Sequence, residues 1–386
     1  MMMHATWSYP TAIRSGSGRV AEIGEACRNA GITNPMIVTD PGLVDLPPIA
    51  AVHAALADAD LASAVFSDLR PNPVGRDIDA GVAAFRAGAH DGVIAVGGGS
   101  ALDVGKVIAF QAGQTRPLWD FEDIGDWWTR ADPESIAPVI AIPTTAGTGS
   151  EVGRAGVVID ETTRRKVIVF HPKMLPVAVI ADPELTIGLP RKLTVGTGLD
   201  ALSHSLEAIC SPAHHPMSHG IGMEGCRLVF EHLPSAAANP TDLEARGQML
   251  TAAAMGAVAF QKGLGAMHAL AHPIGAHFDT HHGMTNAVVM PYVLVANRAA
   301  IEATIKRLGA YTGIGHSFED VLDHILQLRA DLDVPNTLVE LGVDPVAVDT
   351  IATAAVRDPS AETNPITVDL DFAAAVFAAA CEGHLD

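Results

Sequence analysis

The chain has 386 residues, 48% of them hydrophobic, and a formal net charge of −20 with histidine neutral. Single hydrophobic cores stop growing near ~250–300 residues, so two domains are expected. The acidic balance speaks against a nucleic-acid partner, whose phosphates it would repel, and against an anionic membrane surface. No apolar run approaches the roughly 20 residues needed to span a bilayer. The stretch Met1 to Tyr9 has no basic region followed by an apolar one, so no signal peptide is expected. Cys27, Cys210, Cys226 and Cys381 have neither zinc-knuckle nor redox-pair spacing. They are expected to be buried reduced thiols of a cytoplasmic protein.

The first half alternates short apolar runs with amphipathic ones. Met36–Thr39 ends at Asp40, and Val93–Val96 ends at Gly97-Gly98-Gly99. Val139–Ile142 ends at Pro143-Thr144-Thr145, and Val177–Ile180 at Ala181-Asp182-Pro183. Helical stretches such as Ile49–Ala59 and Asp77–Ala87 lie between them. Strands alternating with helices predict βαβ units and a buried parallel sheet, with ligands at the carboxyl ends of the strands. Past Pro190, Ala, Leu and Met recur at helical spacing, as in Gly198–Cys210, His219–His232, Asp242–Ala259 and Ala299–Thr312. Asp358–Pro365 reads as a loop before a last helix, Leu370–Glu382. The expected architecture is an α/β dinucleotide-binding domain (residues 1–189) followed by an all-α domain (190–386).

Gly97-Gly98-Gly99-Ser100 follows a strand and opens a helix, then continues to Asp103 and Lys106. Glycines there let backbone N–H groups approach a phosphate at a helix N-terminus. The alternative is a structural turn. Pro143 to Glu151 carries four hydroxyls and two glycines, a donor-rich surface or a polar helix cap. Two such loops after two strands point to a dinucleotide. Asp40 is placed to accept from an adenosine ribose and to repel a 2′-phosphate, favouring NAD over NADP; an N-cap is the other reading. Trp119, Trp127 and Trp128 either wall a pocket or pack.

Asp200 and His204 are four apart and share one helix face. His268, His272, His277, His281 and His282 put five histidines in fifteen residues of an otherwise apolar stretch. Burying imidazoles costs free energy unless they are hydrogen-bonded or metal-bound. Spacing alone does not choose the ligands among the five. A carboxylate with several histidines suits iron(II), zinc, cobalt or manganese.

Taken together, these residues resemble the iron-containing (group III) alcohol dehydrogenases, of the dehydroquinate synthase-like fold. The matching segments are Gly-Gly-Gly-Ser-Ala-Leu-Asp at 97–103, Pro-Thr-Thr-Ala-Gly-Thr-Gly-Ser-Glu at 143–151, Gly-Leu-Asp-Ala-Leu-Ser-His at 198–204 and His-Ala-Leu-Ala-His-Pro-Ile-Gly at 268–275, running on to His282-Gly283. The resemblance implies Asp200, His204, His268 and His282 as metal ligands, for iron(II) or zinc. It puts His272 beside the reacting centre as the proton-handling residue, and makes His277 and His281 non-ligands. It gives the NAD(H) phosphates to the loops of Gly98, Gly99, Ser100 and Asp103 and of Thr144, Thr145 and Thr148. Asp40 would meet the adenosine ribose, Asn72 the nicotinamide end, and Lys166 a ribose hydroxyl. It further implies a homodimer or larger assembly acting on a small alcohol or aldehyde. Arg154 and Lys262 depart from the small-diol reductases of the family. If either lines the pocket, a carboxylate-bearing substrate follows, as for a semialdehyde or maleylacetate reductase; otherwise both face solvent or pair with Glu151 or Asp160. A dehydroquinate-synthase-like lyase would need more basic residues near His268 than the sequence shows, and a non-catalytic scaffold would not need two phosphate-type loops.

Overall fold

The computed structural model describes residues 8–163 and 165–385. The stretch read for a leader therefore lies, up to residue 7, outside the described residues. The chain divides into two compact units, one of residues 9–189 and one running from Pro190 onward together with Ser8.

The first unit is built on β1 (Ala12–Ser15), β2 (Pro35–Thr39), β3 (Ala64–Phe66), β4 (Gly92–Gly97), β5 (Val139–Pro143), β6 (Ala155–Asp160), β7 (Arg165–Phe170) and β8 (Ala178–Ala181). Six of these form one parallel sheet in the order β1-β8-β5-β4-β2-β3. Strands β2, β4, β5 and β8 are buried along their whole length. That is the signature of a parallel sheet covered on both faces, and it explains why their sequences are unbroken apolar runs. The helices of this unit are α1 (Ile23–Ala30), α2 (Pro47–Ala57), α3 (Gly75–Ala87) and α4 (Gly99–Gln111). One core holds Ile37, Ile94, Val96, Ile140, Ile142 and Ile180 against Ile23, Ile49, Val52 and Leu56 of α1 and α2. Strands β6 and β7 pair separately as an antiparallel hairpin, which the sequence reading does not anticipate.

The second unit consists of α5 (Arg191–Cys210), α6 (Pro216–Ala238), α7 (Leu243–Ala259), α8 (Ala266–Phe278), α9 (His282–Thr312), α10 (Phe318–Asp331), α11 (Val348–Ala355) and α12 (Leu370–Glu382). Helix α5 is central: every residue from Gly198 to Ile209 is buried, and it packs on α6, α7 and α9. A helix buried on all sides lies inside a bundle, and the polar side chains it carries there must find partners. It begins seven residues before Gly198, the start expected from sequence, because burial outweighs the weak helix propensity of Gly196 and Gly198. Helix α9 likewise starts at His282 rather than Ala299 and runs through Pro291. It is long and apolar enough to cross a membrane by length and composition, and 56% of its apolar window is buried inside the protein. The expectation of no such apolar run is corrected here; the helix serves as a core element.

Candidate metal centre and cofactor loops

Three helices bring the predicted ligands together. Asp200 and His204 come from α5, His268 from α8 and His282 from the first position of α9. One donor atom from each lies within 4.8 Å of all the others. Asp200, His204 and His268 are 2%, 5% and 1% exposed, so these donors face a nearly dry site. Gly283 makes the approach possible. A Cβ there would sit 2.1 Å from the Gly196 carbonyl oxygen and 2.9 Å from Asp200 Cβ, so α9 could not enter beside α5 with any larger residue.

The electrostatics suit a cation. Burial alone would raise the Asp200 pKa, but His204, His282, His268 and the Asn286 amide pull it down to about 2. The carboxylate is thus held ionised. Glu207 lies 5% exposed on α5, one turn beyond His204. Its Oε2 is 2.6 Å from His268 Nδ1, and its Oε1 accepts the Met267 backbone N–H at 2.6 Å. Burial would lower the His268 pKa; Glu207 and Asp200 reverse the sign and raise it. With the Nδ1 hydrogen given to Glu207, the Nε2 lone pair faces the cluster. Rings of His204 and His268 stack at 4.8 Å.

His272 stands beside the cluster, its ring stacked on His282 at 5.4 Å. Its Nδ1 is 2.8 Å from Asp358 Oδ2. His277 is exposed, and His281 caps α9 by accepting the Met284 N–H at 3.3 Å. Neither belongs to the convergent group. Sequence reasoning misses Glu207 and Asp358. Glu207 is within reach of the i, i+3 and i, i+7 logic that pairs Asp200 with His204; Asp358 is 86 residues from His272 and carries no local signal.

In the first unit, Gly97 and Pro143 are register partners, so the two loops leave the sheet side by side. The Thr144 N–H bonds the Gly97 carbonyl at 3.0 Å. Gly97 has φ +148°, and a Cβ there would meet Asp40 Oδ2 and Ala101 Cβ at 2.7 Å. Such a conformation beside such neighbours requires glycine. At Gly99 a Cβ would come 2.7 Å from Thr148 Cγ2, and at Gly98 3.4 Å from Thr145 Cγ2. Helix α4 starts with no side-chain cap at Gly98, leaving its first N–H groups for an anion. Asp40 ends β2 and accepts from the Gly98 N–H; burial still pushes its pKa up. Ser100 Oγ donates to the Pro71 carbonyl, and the Ile159 N–H bonds Pro73 at 2.8 Å. Asn72 sits in the strap between these anchors, and Lys166 lies across from Ile159 on β7.

Asp103 is engaged elsewhere. Its carboxylate takes the Ser150 hydroxyl, the Val157 N–H at 3.0 Å and the Lys106 ammonium at 3.2 Å. Lys106 also donates to the Ser150 carbonyl at 3.0 Å. This pair ties the second loop to α4. The tryptophans pack: Trp119 against Gly75, Trp128 edge-on to Phe170 and His171, Trp127 under Arg130.

These two sites agree with what the chain matches. The model of the iron-containing alcohol dehydrogenases covers residues 10–183, and that of the C-terminal part of the same family covers 194–381. The chain belongs to the iron-containing alcohol dehydrogenase family. It is 36% identical over 370 residues to a 4-hydroxybutyrate dehydrogenase of Cupriavidus necator, covering 92% of this chain and 94% of that one. A solved 1,3-propanediol oxidoreductase superposes with a TM-score of 0.93 at 32% identity, over 97% of this chain and 100% of that one. A sulfoacetaldehyde reductase of Bifidobacterium kashiwanohense, solved with NAD+, superposes with a TM-score of 0.89 at 28% identity, over 100% of both chains. The chain is accordingly an NAD-linked alcohol dehydrogenase of this family.

For an iron-containing alcohol dehydrogenase, Lys262 has an unexpected place. It does not face solvent, and it pairs with no acid among the described residues. It is 7% exposed and donates to the carbonyls of Ala208 at 2.8 Å, Ile209 at 3.2 Å and Ser211. These carbonyls belong to the last turn and C-cap of α5, the negative pole of the helix. Arg154 lies 5.5 Å from the ring of Phe170.

Proposed function

We propose that this chain moves hydride between a small primary alcohol or aldehyde and NAD(H), with Asp200, His204, His268 and His282 holding one divalent cation, iron(II) or zinc. The convergence of those four donors, three of them buried, carries the reading. The donor set fits: one ionised carboxylate and three imidazoles form a borderline-ligand group without thiolates. When bound, the cation supplies a Lewis acid for the substrate oxygen and the nicotinamide supplies or removes hydride.

The chain's own part is positional. Glu207 fixes the His268 tautomer so that Nε2 points inward. Asp358 holds His272 by Nδ1, leaving its Nε2 to take or return the hydroxyl proton of the substrate. Gly98, Gly99, Ser100, Thr144, Thr145 and Thr148 offer backbone and hydroxyl donors to the dinucleotide phosphates. Asp40 selects a free ribose 2′-hydroxyl, and Asn72 and Lys166 serve the nicotinamide ribose end. The family resemblance extends the proposal to a homo-oligomer acting in the cytoplasm.

The test is NADH formation by protein prepared without oxygen and loaded with iron(II) or zinc, against a series of alcohols. Turnover that disappears on chelation and returns with metal supports the reading. Equal turnover by the chelated protein sinks it.

A second reading, a substrate with a carboxylate, is favoured by the likeness to 4-hydroxybutyrate dehydrogenase. Arg154 is then the cation to test, since Lys262 is consumed by α5.

A further inference from the structure

Helix α8 carries His268 and His272 but has no side-chain cap of its own. Its N-cap position is Gly265, which has no side chain to offer. Two residues distant in the chain supply the acceptors. Glu207 Oε1 takes the Met267 N–H at 2.6 Å, and Asn364 Oδ1 takes the Ala266 N–H at 3.0 Å. A Cβ at Gly265 would lie 2.7 Å from Asn364 Oδ1 and 2.9 Å from Glu207 Oε1, so the glycine leaves room for both. Pro273 follows His272 directly, and with no N–H to give it leaves the helix one rung short at this point. The placing of His272 then depends on what is fastened to α8 from outside.

Asn364 is buried and locked to a second buried amide, Asn297 of α9. Asn364 Oδ1 also accepts from Asn297 Nδ2 at 2.9 Å. Its Nδ2 donates to Asn297 Oδ1 at 2.8 Å and to the Ile366 carbonyl at 2.7 Å. A backbone N–H only donates, so the bond from Ala266 fixes which end of the Asn364 amide is oxygen, and the Asn297 amide follows. Asn364 closes a short strap that opens at Asp358. Within it, Asp358 Oδ1 takes the Ser360 N–H at 2.9 Å, and Thr363 Oγ1 donates to the Leu264 carbonyl at 2.8 Å. Asp358 Oδ2 meets His272 Nδ1 at 2.8 Å. The two anchors, Asn364 on Ala266 and Asp358 on His272, are equally far apart on the strap and on α8, and in opposite order. The strap thus runs antiparallel along the first turns of α8.

We propose that Asn364 is a positioning residue for His272: locked onto Asn297, it sets the height of the strap along α8 and so the point at which Asp358 meets the imidazole. This rests on the reading of His272 as the group that handles the substrate proton. His268 is held separately, by Glu207. Loosening the strap therefore slows turnover and leaves the metal in place.

The test compares wild type, Asn364→Ala, His272→Ala and the double variant as full chains, loaded with iron(II) for turnover of a short primary alcohol at saturating NAD+ and with zinc(II) for NMR. Asn364→Ala should lower kcat by about ten- to hundredfold, the cost of a misplaced group, with KM for NAD+ and bound metal unchanged. In the His272→Ala background the same change should cost less than about twofold, because a residue that acts only through His272 has nothing left to act on. A carboxylate only accepts, so His272 Nδ1 carries a hydrogen against Asp358. The resonance of that hydrogen, identified by its loss in His272→Ala, should broaden or vanish in Asn364→Ala. If Asn364→Ala does not fold, Asn297→Ala, which leaves the Ala266 N–H capped, goes through the same cycle with the same outcomes. Where His272→Ala is slowed, an unchanged resonance, an unchanged kcat or equal fold-losses in both backgrounds overturns the positioning role. His272→Ala that turns over at the wild-type rate overturns the proton-handling reading instead, and the resonance alone then decides whether Asn364 holds the ring.

Discussion

Glu207 Oε2 lies 2.6 Å from His268 Nδ1, with both side chains almost fully buried. A carboxylate behind a ligating imidazole fixes the ring, its tautomer and its basicity. Glu207→Gln keeps the shape but loses the charge. We expect the metal to bind about 10- to 100-fold more weakly, read by chelator competition, with the fold preserved in circular dichroism. Unchanged affinity would show that Glu207 only satisfies the Met267 N–H.

Asp358 should matter through His272. Asp358→Asn replaces the carboxylate at Nδ1 with a neutral amide, which can donate as well as accept, and the imidazole is then free to take the wrong tautomer for proton transfer. Turnover is expected to fall by about tenfold or more, within the range of general acid–base effects. Metal content should not change. His272→Ala should show the same pattern and a larger drop in rate, and loss of metal in either variant would reassign His272 to the ligand set.

Lys262 separates a structural from a recognition role. Lys262→Met leaves three carbonyls at the end of α5 without their charged donor. A loss of about 2–3 kcal/mol in unfolding free energy is expected, measured by urea titration. The relative rates on carboxylated and neutral aldehydes should stay the same. A selective loss on the carboxylated ones would restore Lys262 to the pocket.

Glu151 makes stability depend on pH. Burial raises its pKa from 4.5 to about 7, opposed by a backbone hydrogen bond and by Lys106. The folded state therefore keeps a proton that the unfolded state has released between pH 4.5 and 7. Stability contributed by this group is present at low pH and falls as pH rises through 7. Glu151→Gln removes the slope, and at pH 8 the variant should exceed wild type by about 3 kcal/mol. Parallel urea midpoints at pH 5 and pH 8 for the two proteins would contradict this.

How much of the molecule is legible in its sequence follows from what each residue must do locally. Strands β2, β4, β5 and β8 are legible because a buried parallel strand is an unbroken apolar run, and each ends at Asp, Gly or Thr. The hairpin of β6 and β7 carries its own signal in Val157–Ile159 and Val167–Val169, but lies outside the βαβ pattern. Asp200 and His204 are legible as an i, i+4 pair, while the choice among the five later histidines is not. That choice depends on how α8 and α9 cross α5, which Gly283 permits and no spacing encodes. Lys262 misleads because a charged side chain is normally exposed. Only the fold shows that three carbonyls surround it.

The most direct test of the metal centre is the metal content and NAD-linked activity of His268→Ala beside wild type, both purified without oxygen and supplied with iron(II). Wild type should carry one metal ion per chain and reduce NAD+ with a short primary alcohol, while His268→Ala should lose both metal and turnover. A His268→Ala protein that is folded, metal-free and fully active would contradict the account.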